Sequence, residues 1–162
     1  MIKLESKEGT LYDVLPEYLE ISSLIKSMLE DDINTDIIIP LINISDYYLN
    51  DVILYISYYH KDPMNKIPEG IDKLEKYVQD FYVNFIKKYD LNSLYILLDI
   101  ANFLDIKPLM DLAINQFIII LIENGDCINK LKTLLKIEDM TDESEKMLRN
   151  KYIKEYNPEL YS

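Results

Sequence analysis

The sequence predicts a mixed α/β fold of the α+β kind, with a small sheet at the amino end followed by a helical bundle. Short apolar runs that alternate with polar residues occupy the first part of the chain, as expected for strands. After Ser45, apolar residues recur mainly at helical spacing. Hydrophobic residues make up 49% of the 162 residues and glycines number only 3, so a packed, helix-rich core is expected.

Three strands are predicted near the amino end. Ile2 and Leu4 alternate with polar residues before a turn at residues 8–10, and apolar residues resume in residues 11–14. This pattern is typical of a two-stranded hairpin. A third strand is expected at residues 37–39, and Pro40 would end its hydrogen-bond ladder because proline lacks an N–H.

Two helices are predicted in the first half of the chain. Ser22 and Ser23 suit the N-cap of the first helix, which is expected to stop at the acidic residues 30–32. Ser45 suits the N-cap of the second. Its apolar residues lie at i, i+3, i+4 and i+7 and should form one buried face, namely Leu49, Val52, Ile53 and Ile56. Residues 60–70 contain two prolines and a glycine, which predicts a loop.

The remaining chain is expected to be helical. One helix is predicted over residues 74–85, and the next begins after Asp90 as its cap. A third has Pro108 in its first turn and ends at the Asn-Gly pair of residues 124–125. Two shorter helices are predicted after that pair, the second starting at Thr141.

Charge and cysteine content limit the partners and the compartment. A formal net charge of -12 repels phosphate backbones and anionic lipids, so neither nucleic acid nor a membrane is an expected partner, whereas a basic protein surface is. The single cysteine, Cys127, and the lack of an apolar signal-type run near Met1 indicate a reducing, intracellular location, cytoplasmic and/or nuclear. The longest apolar run, residues 117–122, is far shorter than the roughly 20 residues that cross a bilayer.

No catalytic, cofactor or metal site is expected. His60 is the only histidine and lies far from Cys127 in sequence, and a closed zinc site takes four ligands, mostly Cys and His. Carboxylates such as Asp99, Asp105 and Asp111 are spaced as on a solvated helix surface. Hydrolysis by a carboxylate pair, and with it an enzyme of unrecognised type, remains an open alternative.

Tyrosines are unusually concentrated in the helix after Ser45, which carries Tyr47, Tyr48, Tyr55, Tyr58 and Tyr59. Grooves that stack nucleic-acid bases pair aromatic rings with cationic neighbours. Here the flanking charges are mostly acidic. The sequence therefore favours core packing and an amphipathic protein-binding surface.

Several strings of residues resemble segments that occur in the same order in one known family. Residues 2–9 are similar to the opening hairpin of that family and residues 25–31 to its first helix. Residues 59–63 are similar to the end of a later helix. The most specific string is Ala-Asn-Phe-Leu-Asp-Ile-Lys at residues 101–107, and residues 135–149 resemble a carboxy-terminal extension. Together they resemble the Skp-type adaptors, the BTB/POZ-fold subunits of SCF ubiquitin ligases.

The resemblance implies both an architecture and a function. It implies a BTB/POZ domain over residues 1–125, with a loop near residues 60–72, and an F-box-binding helical extension over residues 126–162. A member of this family is a non-catalytic adaptor without a cofactor, which bridges the amino-terminal region of a cullin to F-box proteins in ubiquitin-dependent degradation. A weak homodimer of the free protein is a further alternative.

The resemblance also implies two sets of contact residues. Asn102 and Phe103 would face the cullin. An apolar groove would receive the F-box, as an amphipathic helix fills apolar pockets, although part of the set is expected to be core. The F-box set is Leu112, Phe117, Ile120, Ile128, Leu131, Leu134, Leu135, Ile137, Met140 and Tyr152.

Three departures from the family pattern bear on these partners. Phe103 replaces a tyrosine and so lacks a phenolic hydroxyl, the carboxy-terminal tryptophan is absent, and an acidic insert is shortened. An elongin-C-like adaptor or a decoy that engages one partner is the alternative. Elongin C ends near the residue matching Gly125, so the matching segment beyond it favours the two-partner adaptor.

Overall fold

The computed structural model describes residues 1–30, 37–71 and 73–123, and its elements confirm the predicted α+β fold. Strands and helices are mixed up to Pro40. Helices follow in the rest of the described chain, with a 3-10 turn between the third and the fourth helix. The elements are β1 (Ile2–Glu5), β2 (Leu11–Val14), α1 (Pro16–Leu19), α2 (Ser23–Glu30), β3 (Ile38–Pro40), α3 (Asp46–Lys61), the 3-10 turn (Leu74–Lys76), α4 (Asp80–Lys87), α5 (Leu91–Phe103) and α6 (Lys107–Glu123).

The three strands form one sheet with the order β2-β1-β3. β1 and β2 are the predicted antiparallel hairpin, and Gly9 takes φ +83° in its turn, which a glycine adopts without strain. β3 lies parallel to β1 and pairs Glu5 with Pro40. Pro40 is therefore the last residue of the strand rather than the residue after it. At this sheet edge its missing N–H costs no ladder bond.

The core joins one face of the sheet to the helices. Leu4 and Val14 point inward from the strands, and the predicted buried face of α3 contributes Leu49 and Ile56. Full burial of each such side chain stabilises the fold by about 1.5–3 kcal/mol relative to exposure. The core residues from α5 and α6 include Leu94, Leu97, Ala101, Leu109, Leu112 and Ala113.

The start of α3 differs in detail from the prediction. Ser45 occupies the N-cap position, but its side chain makes no capping hydrogen bond. The Asp46 N–H instead donates to Glu8 Oε2 at 2.8 Å, and Thr10 Oγ1 donates to Asp46 Oδ2 at 2.9 Å. The turn of the hairpin thus caps α3, and these bonds tie the sheet to the helices.

Two other predictions needed correction. The predicted helix over residues 74–85 is interrupted at Gln79, whose backbone is extended. The Gln79 side chain bonds to the neighbouring loop: its carbonyl accepts a hydrogen bond from Asn65 N–H, and its NH₂ group donates to Pro63 O. Leu74 and Val78 are nevertheless buried, as the apolar spacing indicated. α3 runs to Lys61, so His60 is helical rather than in the loop, and α1 was not predicted at all.

Candidate functional site

The predicted cullin-binding pair lies at the carboxyl end of α5. Asn102 and Phe103 are both exposed, and half of the Phe103 surface, 50%, is open to solvent. The helix that carries them starts at the predicted cap, where Asp90 accepts a hydrogen bond from Ser93 N–H at 2.8 Å. An exposed phenylalanine at a helix end is available to contact another protein.

The backbone after Phe103 is held by a Schellman motif. Ile106 N–H donates to Ala101 O at 2.9 Å, and Asp105 N–H donates to Asn102 O at 3.1 Å. Asp105 takes the left-handed conformation with φ 50°, which this motif requires and which aspartate tolerates better than most residues. The turn reverses the chain into α6 and fixes the direction in which α5 ends.

A buried serine from another helix secures the same turn. Ser22 is 1% exposed, and its hydroxyl donates to Leu104 O at 2.5 Å while accepting from Ile25 N–H at 3.2 Å. Ser23 N–H also reaches Asp105 O, at 3.4 Å. The start of α2 therefore positions the end of α5, on which Phe103 lies.

The exposed face of α5 extends the predicted pair. Ile96 is 45% exposed and Tyr95 39%, and Ile96, Asp99 and Phe103 lie at i, i+3 and i+7 on one side of the helix. Of the exposed residues of α5, sequence reasoning named only the predicted pair. The signal for more was present, because Tyr95 and Ile96 are apolar and fall outside the buried side of the helix.

The predicted F-box residues on α6 differ from one another in burial. Leu112 is fully buried, while Phe117 and Ile120 are partly buried and pack against the core. The exposed apolar residues of this helix are Ile114, Ile118 and Ile122, at i, i+4 and i+8. Sequence reasoning missed them, and two of the three, Ile118 and Ile122, lie in the unbroken apolar run over residues 117–122, which shows no periodicity. Outside the described residues lie Ile128, Leu131, Leu134, Leu135, Ile137, Met140 and Tyr152.

The tyrosines of α3 pack against the core to different extents. Tyr55 is fully buried, and Tyr58 stacks on Phe81 with ring centroids 3.7 Å apart. Burial, reinforced by the neighbouring Tyr82, raises the pKa of Tyr55 far above its ordinary value. Tyr47 is the most exposed of the five, with 57% of its surface open to solvent, whereas Tyr48, Tyr58 and Tyr59 are half-buried. Core packing thus accounts for most of the aromatic cluster.

The one buried carboxylate of the described core is already satisfied. Asp51 Oδ1 pairs with Lys88 Nζ at 2.6 Å, and the Tyr89 hydroxyl donates to Asp51 Oδ2. Burial, and then the hydrogen bond and charge of Asp51, raise the pKa of Tyr89, so this phenol stays protonated. Asp51 has its charge balanced within the fold, which is a structural role.

Other candidates for chemistry are dispersed. Asp99, Asp105 and Asp111 are exposed, and His60 Nε2 lies 4.0 Å from Glu17 Oε1 at the surface. Within the part of the chain that the structure describes, no three His, Cys, Asp or Glu residues are grouped to hold a metal ion. Across residues 1–30, 37–71 and 73–123, no helix has both the length and the apolar content needed to cross a membrane.

Comparisons with known proteins point in one direction. A family model described as "Skp1 family, tetramerisation domain" matches residues 1–61. The "SCF ubiquitin ligase complex protein SKP1b" of Dictyostelium discoideum is 32% identical over 153 residues, 92% of this chain and 91% of that protein. The "S-phase kinase-associated protein 1 homolog" of Tetrahymena thermophila is 32% identical over 158 residues, 95% and 94% of the two chains.

A fungal relative matches over a shorter range. The "E3 ubiquitin ligase complex SCF subunit sconC" of Arthroderma otae is 30% identical over 113 residues, which are 69% of this chain and 68% of that protein. Similarity to these proteins therefore extends beyond the residues matched by the family model.

Proposed function

Because the chain belongs to the Skp1 family, we propose that it is the adaptor subunit of an SCF-type E3 ubiquitin ligase and joins a cullin to F-box proteins. The observation that carries this proposal is the extent of the similarity. Relatives named as SCF ubiquitin ligase proteins match 92% of the chain, including residues on both sides of Gly125. An adaptor needs two partner surfaces, and the sequence supplies a candidate segment for each.

The cullin surface is proposed at the end of α5. Phe103 is half exposed on a turn fixed by backbone hydrogen bonds and by Ser22, so little order has to be imposed when a partner binds. An aromatic ring inserted in a partner pocket is typical of an interface hot spot. Since Phe103 has no hydroxyl, its contribution is apolar packing, which Tyr95 and Ile96 can extend along the helix.

F-box contacts are proposed for two segments of the chain, α6 and, separately, the predicted helices of residues 126–162. Phe117 and Ile120 are partly buried against the core, and Ile114, Ile118 and Ile122 add exposed apolar area. Leu112 supports this helix from the core side. An F-box helix with apolar side chains on one face would fit such a surface.

The adaptor is proposed to act without catalysis, in the cytoplasm and/or the nucleus. Its role is to hold two proteins at a fixed separation, which requires rigid contact surfaces rather than reacting groups. The net charge of -12 speeds encounter with basic surfaces on a cullin or an F-box protein. The same charge disfavours nucleic acid and anionic lipid as competing partners.

Affinity purification of the tagged full-length chain from its native host, followed by mass spectrometry, tests the proposal. A cullin and at least one F-box protein should both be enriched over a tag-only control. Recovery of only one of the two classes would indicate a one-partner module, and recovery of neither would contradict the proposed function.

A further inference from the structure

A crevice of about 280 Å³ opens between α1, the residues that follow it, and the last turn of α3. Ile56 and Ile21 form an apolar floor, and Tyr18 and Tyr59, both half-buried, line its sides. Ligand sites for whole small molecules span roughly 300–1,000 Å³. This crevice lies just below the lower end of that range, and it has room for a single long side chain.

The rim of the crevice is acidic. Glu17 and Glu20 are exposed and line the opening, and His60 is the nearest ring to Tyr18, with 5.2 Å between the centroids. Glu17 Oε1 lies 4.0 Å from His60 Nε2, which is beyond hydrogen-bond distance. Its carboxylate is thus able to accept hydrogen bonds from an incoming cation.

The chemistry of this lining favours an arginine side chain. The aliphatic stem of arginine can pack on Ile21 and Ile56 while its guanidinium lies against the Tyr18 ring and donates hydrogen bonds to a carboxylate. Lysine is a more strongly hydrated point charge and stacks less well. A hydrated metal ion would leave the apolar floor uncovered, and an anion would be repelled by the rim and by the net charge of -12.

We propose that this crevice docks an arginine from a basic segment of a partner protein. The crevice shares no residue with the surfaces proposed for the cullin and the F-box. It would therefore add a third contact to the adaptor, and its occupation does not depend on the proposed function.

Titration of the isotope-labelled full-length chain with the peptide acetyl-Gly-Ser-Arg-Ser-Gly-amide, followed by NMR, tests the proposal. Saturable shifts are expected for the amides of residues 17–21 and 56–60, and the counterpart peptide with neutral citrulline should produce none. Equal shifts with citrulline, tighter binding of a lysine counterpart, or shifts scattered over the surface would each overturn the proposal.

Paired substitutions separate docking from general attraction. The double variant Glu17→Gln/Glu20→Gln should weaken arginine-peptide binding at least about tenfold, because both carboxylates that can pair with the guanidinium lose their charge. Glu69→Gln/Glu123→Gln removes the same net charge from exposed residues outside the crevice and should leave the affinity unchanged. Equal weakening by both pairs would overturn the proposal.

Discussion

Phe103 exposes half of its surface at the end of α5, where the two backbone hydrogen bonds of the Schellman motif hold the chain. If this ring fills a cullin pocket, Phe103→Ala should weaken cullin binding by about 2 kcal/mol, the level of an interface hot spot. Isothermal titration calorimetry with the amino-terminal region of the cullin measures this change.

A matched control makes the Phe103 experiment specific. Tyr77→Ala removes another exposed aromatic ring, 37% exposed and outside α5, and should not alter the cullin affinity. An unchanged affinity for Phe103→Ala, with the variant folded, would exclude this ring as a cullin contact.

Ser22 bonds to two buried backbone groups at once. Ser22→Ala would leave the Leu104 carbonyl and the Ile25 N–H without this partner, which should lower the free energy of unfolding by about 2 kcal/mol. Urea unfolding followed by circular dichroism measures the loss. Ser57→Ala removes an exposed hydroxyl bond to Leu54 O and should change stability by less than about 0.5 kcal/mol. A loss for Ser22→Ala no larger than that of this control would contradict the assigned role.

Single residues differ in how much of their role can be predicted from sequence. The choice of Ser22 as a cap followed from local residue types, because a capping bond spans only a few residues. Its bond to Leu104 O spans 82 residues and has no local signature. Asn102 and Phe103 were identified through a resemblance rather than through periodicity, and their exposure became known only from the packing of α5.

The N-cap of α5 is Asp90, whose ionised carboxylate stabilises the start of the helix. Hydrogen bonds from the side chain and backbone of Ser93 hold the pKa of Asp90 below its ordinary value of 3.8. A carboxyl with a lowered pKa in the folded state stabilises the fold above its unfolded pKa, and that contribution is lost as pH falls through the folded pKa. Acidification below about pH 4 should therefore loosen the start of α5.

Substitution of Asp90 measures how much this N-cap contributes to the loss of stability at low pH. Asparagine is an equally good N-cap but does not titrate, so Asp90→Asn should retain stability at pH 7 and lose less of it toward pH 3. Urea midpoints over this pH range measure the difference. Asp99→Asn, at an exposed position in the same helix, serves as the control. An identical acid dependence for Asp90→Asn and the unmodified chain would contradict the role given to Asp90.

Elements were predictable where their signals are local. Asp90 and Pro108 marked the starts of α5 and α6, and the hairpin followed from alternation around a turn. The helix over residues 74–85 was mispredicted, because Gln79 bonds to a loop that is distant in sequence. α1 has four residues, which is too short for helical periodicity, although Pro16, a residue type suited to a first helical turn, was visible in the sequence.

The two partners are proposed to bind different segments of the chain. The cullin contact lies before Gly125, and most of the F-box contact lies after it. Deletion of residues 127–162 should abolish F-box capture and leave cullin binding measurable, because the turn that positions Phe103 is held by α2 and α5. Binding assays with each purified partner test this division. Loss of both activities in a folded truncation would contradict it.

Sequence supplied the fold class and the family, because apolar spacing and the string at residues 101–107 are properties of the chain itself. The F-box set was harder to predict, since an apolar residue on a helix serves a core or a partner equally well. Leu112 of this set proved fully buried, whereas Ile118 of the same helix, which the set did not include, is 45% exposed. Only the packing of α6 distinguishes the two.

The central claim is that one molecule of this chain binds a cullin and an F-box protein at the same time. Size-exclusion chromatography with light scattering, on an equimolar mixture of the chain, the cullin amino-terminal region and an F-box protein, measures this directly. The account predicts a single species whose mass equals one copy of each. Two separate binary complexes, with no species containing all three proteins, would contradict it.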